Sequence, residues 1–115
     1  MEFLKDVYEE RRKYFEKLDE YLEEIKRIVK SAVPDAKIFL FGSVVKGEYS
    51  VGLSDIDIAI ISKEFENREK KLEVFGMLTE KFMDSPFEFH LLTPKQWEFY
   101  SKFIGDQKRK IYNIR

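Results

Sequence analysis

The sequence predicts an α/β fold in which helices cover one face of a small sheet, and three observations lead there. Residues 2–33 contain no Gly or Pro, and their apolar positions recur at helical steps. Three short apolar runs, at residues 37–41, 55–62 and 87–92, have the length and composition of strands. Between the second and third runs, residues 64–83 carry another helical pattern. The order is helix, strand, short helix, strand, helix, strand, helix, read as one domain of 115 residues.

In the first segment Leu4, Val7, Tyr14, Leu18, Tyr21, Ile25, Ile28 and Ala32 follow alternating steps of three and four, with Arg11 the single polar break. This 3.5-residue seam predicts one long amphipathic helix over 1–33. Unbroken, it would be about 45 Å long, more than so small a domain can cover, so part of it projects toward a partner, or it bends or breaks over the core. Pro34-Asp35 ends it. The catalytic core is expected over 37–93: a strand to Phe41, then Gly42-Ser43, a turn or two of helix over 44–49, and a loop over 50–54. Phe65, Leu72, Phe75, Leu78 and Phe82 mark the helix that follows the second strand, and Asp84-Ser85-Pro86 breaks it. After the third strand, Thr93-Pro94 has the form of an N-cap and first helical residue. The last part, 94–115, is then a helix with Trp97, Tyr100 and Phe103, followed by a tail.

Composition narrows the function classes. Formal charge is −1, so the basic excess typical of a nucleic-acid-binding domain is missing. The cluster Lys108-Arg109-Lys110 reads as a solvated terminus. With no cysteine, disulfides, thiolate metal sites and cysteine nucleophiles are excluded. Apolar runs stay far below the roughly 20 residues that span a bilayer. The opening residues lack the basic start and apolar stretch of a secretory signal, so a cytoplasmic location is the expectation.

The chemistry concentrates in residues 41–61. Strand alternation sends Asp55 and Asp57 to one face, with Ile56 and Ile58 on the other. Two carboxylates about 7 Å apart at Cβ can converge on one cation, or on a pair of them. Without a cation they repel, and burial raises at least one pKa. Mg²⁺, a hard ion that favours carboxylate and phosphate oxygens, relieves that cost. On the third strand, parity places Glu88 and His90 together, opposite Phe87, Phe89 and Leu91. Glu88 then joins the acidic cluster if the second and third strands are neighbours. Gly42-Ser43, between a strand and a short helix, offers backbone N–H groups and a hydroxyl to an anion. Lys46, one turn on, adds positive charge. Carboxylates for metal facing donors for phosphate describe a nucleoside-triphosphate site.

The stretch LFGSVVKGEYSVGLSDIDIAI resembles the signature of the minimal nucleotidyltransferases, a group within the DNA polymerase β superfamily. Eleven residues separate Ser43 from Asp55, one more than the commonest spacing, and the extra residue falls in the 50–53 loop. Lys46 stands where many relatives carry arginine, and Glu88 where many carry aspartate. The resemblance implies a polymerase β-like fold, a small mixed sheet with helices on one side and the site on the other. It implies Asp55 and Asp57 as ligands of divalent metal, a two-ion Mg²⁺ site that Mn²⁺ also suits, and Gly42 and Ser43 on the triphosphate of ATP or another NTP. Glu88 matches the third carboxylate, as ligand or proton acceptor. It also implies a helical HEPN-type protein partner, neutralised as the toxin of a toxin–antitoxin pair by receiving AMP. Larger relatives hold their acceptors with an extra helical domain, and no such acceptor site for an antibiotic, a tRNA or a primer is expected within these 115 residues. Two alternatives stand beside this reading. One is nucleotide transfer to a small molecule of aminoglycoside type, with a homodimer supplying the pocket; the other is a non-catalytic steric inhibitor with a vestigial nucleotide site.

Overall fold

The structure is a computed structural model and describes residues 2–105 and 108–110. The N-terminal segment is helical over the expected span but in two pieces. Helix α1 covers Glu2–Glu16 and helix α2 covers Leu18–Ala32, with Lys17 between them at φ −109°, ψ 32°. The break resolves the length problem that the seam poses. Fifteen residues, about 22 Å of helix, are enough to cross the sheet, and α2 does so with Leu22, Ile25 and Val29 buried. α1 touches the core only through its last turn, with Tyr14 and Phe15, and every residue from Phe3 to Glu10 is exposed.

Among the described residues the sheet has four strands. β1 is Lys37–Phe41, β2 Ile56–Ile61, β3 Phe87–Leu92 and β4 Lys108–Lys110, in the order β3-β2-β1-β4. β1 runs antiparallel to both β2 and β4, while β2 and β3 are parallel, which makes the sheet mixed. A parallel pair needs a crossover, and helix α4 (Arg68–Lys81), entered through a 3-10 turn at Lys63–Glu66, provides it. The basic cluster at 108–110 is therefore an edge strand on β1 rather than a solvated terminus. Backbone ladder bonds ask nothing of side-chain type, and cationic residues suit an edge. The rest of the expected tail, 106–107 and 111–115, lies outside the described residues.

Alternation divides the sheet into two faces. Ile38, Leu40, Ile56, Ile58, Ile60, Phe89 and Leu91 pack under α2 and α4 with Val29, Val33, Phe65, Val74, Leu78 and Phe82. Each such side chain contributes about 1.5–3 kcal/mol by leaving water. The face of α4 that reaches this core is the one carrying Val74 and Leu78. Leu72 and Phe75, which share its helical spacing, are exposed. The other face carries Phe41, Ala59 and Ile61, and helix α5 (Pro94–Ile104) lies against it through Trp97, Tyr100 and Ile104. A Thr93/Gln96 capping box with Pro94 at the first position starts α5. The helical layer of α2 and α4 is thus joined by a helix that partly covers the opposite face and leaves one end of it open.

Candidate active site

The open end of that face is built from the β1 exit, the start of β2 and the middle of β3. β1 ends at Phe41, which is opposite Asp57 in the antiparallel register. Gly42 then turns the chain at φ 85°, ψ −156°, and helix α3, Ser43–Lys46, begins at once. Its carbonyl accepts from the N–H groups of Val45 at 3.1 Å and Lys46 at 3.4 Å. Glycine is required twice here. Its φ lies in the left-handed region, and a Cβ at this position would stand 2.5 Å from Asp57 Oδ2. The turn is packed directly on the first carboxylate of the site.

Parallel pairing sets Asp57 beside Glu88 and Ala59 beside His90. His90 Nε2 lies 3.2 Å from Asp57 Oδ1 and 3.8 Å from Glu88 Oε1. One donor atom from each of Asp57, Glu88 and His90 falls within 4.8 Å of the others. The His90 ring is set by Phe41 and Tyr100, with centroids 5.1 and 6.2 Å away. Asp55 stands just before β2, exposed, and close enough to Glu88 to help raise its pKa.

Electrostatics agree with this crowding. The Glu88 carboxyl is held above the usual glutamate range, by burial first; His90 opposes the shift, and Asp57 and Asp55 add to it by repulsion. The Glu88 side chain is still 53 % exposed, so water screens these effects and they say little about stability. Two carboxylates and an imidazole converging on one point, with a third carboxylate alongside, fit a divalent cation: hard oxygen donors suit Mg²⁺, and the imidazole broadens the choice toward Mn²⁺.

The expected residues are therefore brought together unevenly. Gly42, Asp57 and Glu88 meet as the strand pattern predicts, and Asp55 reaches the group through Glu88. Ser43 follows Gly42 as the first residue of α3, half-buried. Lys46 ends that helix with its side chain exposed. His90, whose role the sequence left open, stands closest to Asp57; the signal for it was its parity with Glu88.

Comparison with known proteins points the same way. The family described as nucleotidyltransferase domain matches residues 22–113. "Probable protein adenylyltransferase MntA" of Haemophilus influenzae is 36 % identical over 93 residues, covering 78 % of this chain and 74 % of its own length. A crystal structure described as a "putative nucleotidyltransferase" superposes with a TM-score of 0.72 at 55 % identity, over 80 % of this chain and 98 % of that one. Another so described, from Sulfolobus solfataricus, shares the fold at a TM-score of 0.59 and 20 % identity, over 89 % and 86 % of the two chains.

Proposed function

The chain belongs to the nucleotidyltransferase domain family, and from that premise we propose that it moves AMP from ATP onto a hydroxyl of a protein partner. The observation that carries the reading is the convergence of Asp57, Glu88 and His90 beneath Gly42. The protein acceptor is supported by the relative named as a protein adenylyltransferase. We extend the proposal to the partner suggested by the sequence signature, a helical HEPN-type toxin that this protein neutralises as antitoxin in the cytoplasm. Among the described residues, no helix is long and apolar enough to cross a membrane.

In this reaction the acceptor oxygen attacks the α-phosphorus. An O–P bond forms, the bond from that phosphorus to the oxygen bridging to the β-phosphate breaks, and pyrophosphate leaves. The acceptor proton passes to Glu88. Gly42 lets phosphate approach the backbone without a Cβ in the way. The Ser43 hydroxyl and the Lys46 ammonium are assigned to the triphosphate. Mg²⁺ or Mn²⁺ held by Asp55, Asp57 and Glu88, with His90 in reach, would supply Lewis-acid activation of the acceptor and charge neutralisation of the leaving pyrophosphate.

The test is label transfer. The purified protein is mixed with Mg²⁺, its helical neighbour or host-cell extract, and ATP labelled at the α or the γ phosphate. Transfer to a protein from α-labelled ATP only, lost in Asp57→Asn, is expected. Tight partner binding with no transfer would instead identify a steric inhibitor, and label on a small molecule would identify an aminoglycoside-type transferase.

A further inference from the structure

Arg11 is the one polar residue that interrupts the apolar seam of the N-terminal helices, and the reaction outlined above leaves it without a task. Residues 3–10 before it are all exposed, and Tyr14 and Phe15, one turn after it, pack against the core. The Arg11 guanidinium reaches 40 residues along the chain. Nε donates to the Val51 carbonyl at 2.8 Å, and Nη2 donates to the Ser54 carbonyl. A planar fork with fixed donor directions is suited to holding two carbonyls at once, which a lysine cannot reproduce.

The gripped segment is the loop that leads into Asp55. It is closed on itself by Ser54 N–H to the Ser50 carbonyl at 2.8 Å and Ser50 N–H to Ser54 Oγ at 2.9 Å. Asp55 precedes the first residue of β2, so the sheet ladder does not fix it. What fixes it is a bond on either side. The Ser54 carbonyl belongs to the peptide plane before Asp55 and is held by Arg11. The Ile56 N–H belongs to the plane after it and donates to the Pro86 carbonyl at 2.8 Å. With both flanking planes held, φ and ψ of Asp55 are set, and so is the direction of its Cβ.

We propose that Arg11 is a positioning residue for the acidic site: from α1 it clamps the Val51 and Ser54 carbonyls and thereby aims the Asp55 carboxylate. The inference rests on the functional reading above, since it gives Asp55 a ligand's task. It also gives α1 a use: the helix is the arm that carries the clamp.

The experiment measures Mn²⁺ binding to the full chain, counting free ion by electron paramagnetic resonance, for wild type, Arg11→Met and Arg11→Lys. Amide hydrogen exchange is followed in the same proteins without metal. Loss of a residue that orients a ligand costs about 10–100-fold in metal affinity. Arg11→Met is expected to weaken Mn²⁺ binding by that factor and to speed exchange at Asp55 and Ile56, with the Ile58 amide in mid-strand unchanged. Arg11→Lys recovers part of the affinity through a single carbonyl. If Arg11→Met does not fold, Arg11→Lys against wild type carries the comparison, a loss of at least a few-fold being required. Wild-type Mn²⁺ affinity in a variant that merely melts earlier would make Arg11 a structural tether and overturn the proposal. Absence of Mn²⁺ binding by wild type would overturn the metal site itself and this inference with it, an outcome visible in the wild-type sample alone.

Discussion

Gly42 lies so close to Asp57 that the position where its Cβ would be is 2.5 Å from Asp57 Oδ2. One residue cannot change without displacing the other. Gly42→Ala is expected to strain the backbone at φ 85° and push the carboxylate away from Glu88 and His90. Misplacing a reacting group by about 1 Å costs roughly 100-fold in rate, and the strained backbone costs about 1–3 kcal/mol. Gly47 separates the two effects: its φ is 76°, but none of the described residues lies within 4 Å of its Cβ position. Gly47→Ala should lose stability and keep transfer. Label-transfer rates with melting curves for both variants check this, and equal rates in the two would remove the contact from the explanation.

Glu88 should titrate above an ordinary glutamate. Because the folded state holds that proton more tightly than the unfolded chain, the linked stability is present at low pH. It is lost as pH rises from the ordinary value through the folded one. The half-exposed side chain keeps this loss small. Following the Glu88 carboxyl carbon by nuclear magnetic resonance tests the cause directly. Asp55→Ala, which removes repulsion, should lower the midpoint, and added Mg²⁺ should lower it in the wild type. A midpoint indifferent to Asp55→Ala would detach Asp55 from the cluster.

His90 predicts a difference between ions. Imidazole suits Mn²⁺ better than Mg²⁺, which prefers oxygen donors throughout. With Nε2 3.2 Å from Asp57 Oδ1, His90→Ala should weaken Mn²⁺ binding about 10-fold and alter Mg²⁺ binding much less. Titrating each ion against the variant and wild type decides it. Equal losses for both ions would make His90 a support for Asp57 rather than a ligand.

The pairing of Asp57 with Glu88 was legible because strand parity has a period of two and one face of each strand is continuously apolar. The Gly42 turn was legible from its place between a strand and a short helix. A break was one of two outcomes the length allowed, but its place at Lys17 was not legible, because the seam from Leu4 to Ala32 keeps its phase straight through it. Nor was β4, since Lys108-Arg109-Lys110 shows no apolar alternation to mark it as a strand. The placement of α5 across the second face depends on Trp97 stacking on Phe39 at 4.7 Å, a contact between elements nearly sixty residues apart. Arg11 was visible as an exception to a pattern, and only the tertiary fold says what the exception is for.

Helix α4 gives the last prediction, and it concerns a choice that periodicity cannot make. Leu72 and Leu78 both fit the helical spacing read from the sequence, six residues apart. Successive residues turn by about 100°, so six steps leave them about 120° apart, and the core can take only one of the two sides. The face that wins is fixed at the helix ends, where Phe65 before α4 and Phe82 after it are both buried. Val74 and Leu78 share that side and are fully buried, while Leu72 remains 57 % exposed. Leu78→Ala leaves a cavity against β2 and β3 and should cost about 2–5 kcal/mol. Leu72→Ala should stay within about 0.5 kcal/mol of wild type. Urea denaturation with unchanged slope measures both. A large loss at Leu72 would show that this face is covered in solution, and a small one at Leu78 would place the core of the helix elsewhere.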